Sequence, residues 1–222
     1  MAGKLGLDRQ DRRLILDGME KSYLDKAYGD RDAAETRALY DGWASSYEEE
    51  LGQHGYVTPT RCAEALAKHS ADLEAPVLDF GCGTGLSGAA LAKAGFITID
   101  GVDLSADMLA QANGKGVYRV LRHIEAGEDV RHRPGDYAAI AAIGVIGAGA
   151  APISAFDGIM KGLGSGGLFV FSFNDHALSD PAYEARVNEW VDSGSATLLH
   201  REHGDHIPGI DLKAVVYVLE KK

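Results

Sequence analysis

The sequence predicts an α/β domain. Its core is a doubly wound, mostly parallel sheet of seven strands, with helices on both faces and a C-terminal antiparallel hairpin. Three observations predict it. Short apolar runs alternate with helical patterns from residue 76 to 174, the spacing of successive strand–helix units. A glycine-rich turn, "GCGTG" at 81–85, joins the first of those runs to the helix after it. Finally, "ATLLHREH" and "LKAVVYVLEK" are strand-like and separated by only a short connection, "GDHIPGID", which forces them antiparallel.

Residues 1–33 are charge-dense with few apolar positions and read as an N-terminal extension, leaving 34–222 for the domain. In "AETRALYDGWASSYEEEL", Leu39, Tyr40, Trp43, Tyr47 and Leu51 recur at steps of three and four, so one amphipathic helix is expected over 34–52. "TPTRCAEALAKH" starts a second helix near Thr58, with Pro59 at its first position. "PVLDF" is a strand. "GLSGAALAKAG" is a helix closed by Gly95, "FITIDGVD" a strand, and "SADMLAQANG" a helix opened by Ser105 and closed by Gly114. "VYRVLRHI" and "YAAIAAI" are strands, a helix follows over about 152–163, and "GGLFVFSFN" is the next strand. "DPAYEARVNEWVDSG" is the helix that precedes the hairpin.

The net charge of −11 argues against nucleic acid or an anionic membrane surface as partner, because neutralising phosphate requires clustered Lys and Arg. The uncharged stretch 137–156 is long enough to suggest a membrane span, but its Ala and Gly content and Pro152 fit a strand, a loop and a helix start instead. Cys62 and Cys82 form no disulfide framework and no metal-ligand pattern, which points to a reducing, cytoplasmic setting.

The chemistry concentrates in "VLDFGCGTGLSG". Gly81, Gly83 and Gly85 let the backbone approach a ligand, and the helix that follows offers free N–H donors. The GxGxG spacing is not that of a dinucleotide binder, and no phosphate-binding lysine follows the loop. A carboxylate, Asp79, precedes the loop; it would repel a pyrophosphate and favour a cationic ligand. Asp103, at the end of the second strand, is placed to take both hydroxyls of a ribose. Ribose with ammonium and without phosphate describes an adenosyl amino acid.

On "VLDFGCGTG", "GVDLSADML" and "GSGGLFVFSFN", the chain resembles the class I S-adenosylmethionine-dependent methyltransferases over about residues 35–222. "LYDGWASSYEEEL", "HGDHIPG" and "VYVLEK" are similar to the methyltransferase-like group named for the Williams-Beuren region. The resemblance implies a Rossmann-like fold with S-adenosylmethionine as cofactor. It also implies roles for individual residues. Asp79 and the backbone of Gly81, Cys82, Gly83 and Gly85 would hold the methionyl end, Asp103 the ribose, and Leu104 and Met108 the adenine. Glu125 stands where the family has an acid that meets the adenine amino group, and Tyr40 and Tyr47 are expected as lid residues.

His176 follows the fifth strand at its carboxyl edge and is the candidate general base, beside Asn174. "REHGDHIPG" brings His203, the last residue of "ATLLHREH", and His206 to the expected hairpin turn, where a histidine is ordinarily solvated. A metal held by Asp175 and His176 would want an acid after the fourth strand, and "AIGVIGAG" supplies none, so no metal is expected. The acidic charge, and the lack of an Asn/Asp-Pro-Pro-aromatic tetrapeptide, leave a small molecule as the leading methyl acceptor. Two rivals remain at this point: a non-catalytic adenosyl-binding module, and a nicotinamide-dependent oxidoreductase disfavoured by Asp79 and the loop spacing.

Overall fold

The computed structural model describes residues 32–127, 133–147 and 149–222, so the expected extension lies outside the described residues except for Asp32 and Ala33. The helices are α1 (Ala33–Trp43), α2 (Tyr47–His54), α3 (Thr58–His69), α4 (Leu86–Lys93), α5 (Ala106–Asn113), α6 (Ser154–Gly162), the single turn α7 (Asp175–Leu178) and α8 (Pro181–Asp192). The strands are β1 (Val77–Phe80), β2 (Ile99–Asp103), β3 (Tyr118–His123), β4 (Ala139–Ala142), β5 (Leu168–Asn174), β6 (Ala196–Ile207) and β7 (Leu212–Lys221).

These strands form one sheet in the order β3-β2-β1-β4-β5-β7-β6. The pairings among β3, β2, β1, β4 and β5 are parallel, whereas β7 runs against both its neighbours, β5 and β6. The order reverses between β1 and β4, and in such sheets a ligand crevice opens there, beyond the carboxyl ends of the strands.

Alternation along the strands splits the core into two layers. Leu78, Ile140, Phe169, Phe171, Phe173 and Tyr217 pack with Phe156, Ile159 and Met160 of α6. Val77, Ala139, Ala141, Val170, Val216 and Val218 face the opposite way, onto Cys62 and Leu66 of α3 and Leu91 of α4. The uncharged stretch 137–156 is β4, a loop and the start of α6, and no described helix is long and apolar enough to cross a membrane.

Two expectations need correcting. The helix expected over 34–52 is two helices, broken at residues 44–46. The apolar spacing carries on across the break because Trp43 and Tyr47 pack edge to face with ring centroids 4.6 Å apart, so periodicity does not reveal it. Ser46 stands at the N-cap position of the second helix without a side-chain capping bond, and Glu48, Glu49 and Glu50 in the first turn suit the positive end of its dipole. The hairpin turn is also shorter than expected. β6 continues through residues 204–207, and the reversal falls on Pro208–Ile210 with Asp211 at φ 53°. Proline cannot donate to the ladder, so pairing stops there rather than at Gly204. His203 and His206 are therefore strand residues, and His206 is buried.

Candidate functional site

A cavity of about 690 Å³ opens at the switch point, within the size range of small-molecule and cofactor sites. The glycine loop forms one wall. Gly81 and Cys82 donate backbone N–H bonds to Val102 O (2.8 and 3.0 Å), which ties the loop to the end of β2. Gly81 has φ 70°, and a Cβ there would sit 2.6 Å from Val145, so only glycine fits. Gly83, at φ 53°, has nothing within 4 Å of where a Cβ would lie: its backbone faces open space in the cavity wall. Thr84 is buried in the same wall, and its Oγ1 has no partner among the described residues.

Asp103 lines the cavity, and its two carboxylate oxygens are held by separate amides: Gly83 N–H on Oδ2 at 2.8 Å and Ser105 N–H on Oδ1 at 2.9 Å. Its carboxyl pKa is raised, chiefly by burial, against the opposing pull of those N–H bonds. Leu104 and Met108 lie beside it in the wall, and Ser105 caps α5 by accepting from Met108 N–H.

The roof comes from α1 and α2, which supply Thr36, Arg37, Tyr40 and Tyr47 to the lining. Side-chain ties hold it down: Arg37 pairs with Glu125, Asp41 accepts from the Ser105 hydroxyl, and Glu48 pairs with Lys115 at 2.7 Å. Glu125 thus lines the cavity and also fastens the roof.

Asp79 is not where the sequence reading put it. Its side chain lies on the face of β1 opposite Leu78 and Phe80. It is fully buried and does not line the cavity. Behind the loop, its Oδ2 accepts from the Ser87 hydroxyl (2.6 Å) and the Tyr118 hydroxyl (2.7 Å), while Oδ1 has no partner among the described residues. Tyr118 OH in turn accepts from Gly88 N–H at 3.2 Å. The Tyr118 ring reaches this point because Gly101 and Gly88 carry no side chain; a Cβ on Gly88 would lie 2.3 Å from it. Burial pushes the Asp79 carboxyl up to about 6, with the Asp103 charge adding to the rise and the Ser87 and Tyr118 hydrogen bonds opposing it. Asp79 therefore anchors the start of α4 under the loop instead of presenting a carboxylate at its mouth.

Cys82 lines the cavity, but burial and the Asp79 and Asp103 charges push its thiol well above the ordinary range, so it stays a neutral thiol. His176 is exposed on α7 and is not among the residues lining the cavity; Asn174 caps that turn by accepting from Ala177 N–H at 3.0 Å. Sequence reasoning missed Arg37, Tyr56 and Tyr118, and read His206 as a solvated turn residue. The one local signal was Arg37 lying three residues before Tyr40, on the same helix face.

Residues 54–216 match the family model described as a methyltransferase domain. The human methyltransferase-like protein 27 is 33% identical over 136 residues, covering 58% of this chain and 54% of that protein, so the match spans about half of the relative. Among solved structures, the [4+2]-cyclase SpnF aligns with a TM-score of 0.65 at 16% identity, over 88% of this chain and 98% of that one. A SAM-dependent methyltransferase from Thiobacillus denitrificans, solved with S-adenosyl-L-homocysteine, aligns with a TM-score of 0.52 at 14% identity, over 73% and 91%. These two likenesses establish the fold. The chain belongs to the methyltransferase domain family and has the Rossmann-like fold of the class I S-adenosylmethionine-dependent methyltransferases.

Proposed function

We propose that this chain is an enzyme that binds S-adenosylmethionine in the cavity beside the glycine loop and methylates a small-molecule acceptor by in-line displacement. The observation that carries the reading is the pairing of an open Gly83 backbone with the Asp103 carboxylate in one cavity wall, at the switch point of a methyltransferase-family sheet. The residues present fit the cofactor. Gly83 leaves room for close approach, Thr84 Oγ1 is a buried polar atom in need of a partner, and Asp103 retains acceptor capacity on both oxygens for a ribose. Leu104 and Met108 give the apolar wall that a purine ring needs.

When bound, the cofactor supplies an electrophilic methyl group on a sulfonium. The protein's task is to align an acceptor and keep water out. Arg37, Glu125 and the α1–α2 roof close the cavity over that site. Asp79 and Asp103 make its floor electronegative, which favours a cationic ligand even though Asp79 does not touch the cavity. The net charge of −11 and the lack of a basic cluster favour a small acceptor over nucleic acid or membrane, and two free cysteines suit the cytoplasm.

Calorimetric titration with S-adenosylmethionine, S-adenosylhomocysteine and NADH tests the cofactor. Wild-type protein is expected to bind both adenosyl ligands and not NADH. Asp103→Ala is expected to weaken that binding by about 1.5–3 kcal/mol through loss of charge-assisted hydrogen bonds. No adenosyl binding by the wild type would overturn the reading.

A further inference from the structure

A second, smaller recess of about 50 Å³ adjoins the main cavity and shares Tyr40, Tyr47, Tyr56, Gly144 and Ala150 with it. By the roughly 10–15 Å³ that one water requires, it has room for a group of a few heavy atoms. Its walls are aromatic. The Tyr40 and Trp43 rings stack with centroids 6.0 Å apart, Tyr47 meets Trp43 edge to face, and Tyr56 stands edge to face on His206 at 5.1 Å. Tyr56 enters the boundary between the two spaces because Gly144, at φ 70°, has no Cβ; one there would lie 2.6 Å from the Tyr56 hydroxyl.

His206 is the recess's distinctive polar group. It reaches it from the buried end of β6, and its Nδ1 meets Thr58 Oγ1 at 2.8 Å. Among the described residues Nε2 has no hydrogen-bond partner, and it is not one of the fully enclosed unpartnered atoms, so it remains accessible. Asn174 lines the same recess with its Oδ1 already used in capping α7. Among the described residues, the lining contains no Lys, Arg, Asp or Glu. Burial, with Arg61 and His176 adding to it and Asp175 opposing, pushes the imidazole down to about 4, so the ring is neutral at physiological pH. Surroundings that refuse a proton on imidazole also disfavour an ammonium, and with no cation in the lining they disfavour a carboxylate.

We propose that this recess is the acceptor-anchoring subsite, and that it takes the hydroxyl-bearing end of a neutral aromatic molecule, with His206 Nε2 as the hydrogen-bond partner of that hydroxyl. The inference rests on the methyltransferase reading, which supplies the neighbouring cofactor cavity. The aromatic walls offer stacking surface, His206 and Asn174 offer the polar contacts, and the volume of about 50 Å³ suits the end of a molecule rather than the whole of one.

Phenol is the probe, titrated into the full chain carrying ¹³C-labelled histidine, with and without S-adenosylhomocysteine. The His206 ring signal is identified by its loss in His206→Gln. Phenol is expected to shift that signal saturably, while benzoate and benzylammonium leave it in place. His206→Gln is expected to weaken phenol binding roughly threefold to tenfold, the worth of one hydrogen bond, with S-adenosylhomocysteine affinity unchanged. An unmoved His206 signal at saturating S-adenosylhomocysteine overturns the subsite and leaves the methyltransferase reading standing. An equal response to the charged probes overturns the neutral-acceptor assignment. Failure of S-adenosylhomocysteine to bind overturns the methyltransferase reading, and the phenol titration without it still tests the recess. Should His206→Gln not fold, the ring signal is assigned in uniformly labelled wild-type protein by its through-bond connection to the His206 backbone, and the wild-type titration decides the matter.

Discussion

Replacing Asp79 by asparagine removes a buried charge whose effect on stability changes with pH, in a direction opposite to that of His206. In the native protein the Asp79 carboxyl keeps its proton to about pH 6, against 3.8 ordinarily, because burial outweighs the hydrogen bonds from Ser87 and Tyr118. Between those values the folded state binds the proton and the unfolded chain does not, so stability falls as pH rises. At 1.36 kcal/mol per pH unit the loss is on the order of 3 kcal/mol by pH 7. His206 behaves inversely. Its native imidazole is pushed from 6.5 to about 4, so between those values the unfolded chain binds the extra proton. Stability from His206 is present above about pH 6.5 and is lost as pH falls towards 4, by a similar ~3 kcal/mol.

In the wild type the two slopes nearly cancel between pH 4 and 6. Asp79→Asn removes one falling contribution, while the raised Asp103 carboxyl is common to both proteins, and the variant's stability is expected to rise by roughly 3 kcal/mol from pH 4 to 6.5 relative to the wild-type curve. Urea unfolding followed by circular dichroism at half-unit steps of pH measures both. Dilute protein is needed because the sequence pI is about 5.1. Altered hydrogen bonding by the introduced amide shifts the variant's curve by a constant and leaves its slope alone. Parallel curves for variant and wild type would refute the assignment of Asp79 as a buried, proton-retaining carboxylate.

Tyr118→Phe removes the hydroxyl that donates to Asp79 Oδ2 and accepts from Gly88 N–H, and is expected to destabilise by about 1–3 kcal/mol in urea unfolding, since both partners are left buried. Gly88→Ala drives a methyl group to 2.3 Å from the Tyr118 ring and should cost about 1–3 kcal/mol. Combined with Tyr118→Leu, most of that cost should disappear, and additive effects in the double-mutant cycle would show that the two positions do not share the space.

The strand–helix alternation, the glycine loop and Asp103 were legible in the chain because each is a local device. Periodicity reports a face, a positive φ favours glycine, and a strand-end acid follows its loop by a fixed length of chain. Those local rules determined the sheet, the position of the cavity, and Gly83 and Asp103 as residues of its wall, whereas Leu104 and Met108 were expected there only from the family resemblance. They were blind to direction and to distant partners. Asp79 precedes the loop in sequence, yet the pleat of β1 turns it to the face opposite Leu78 and Phe80, onto Ser87 and onto Tyr118, 39 positions along the chain. His176 follows the fifth strand but sits exposed on α7, outside the cavity lining. His206, which reads as a turn residue, is carried by the extra length of β6 to within 2.8 Å of Thr58, 148 positions earlier. Periodicity likewise passed over the break between α1 and α2, because Trp43 and Tyr47 keep one apolar face across it. Burial and electrostatic environment are properties of packing between layers, so which carboxylate lines the cavity and which imidazole stays neutral were decided only when the helices closed on the sheet.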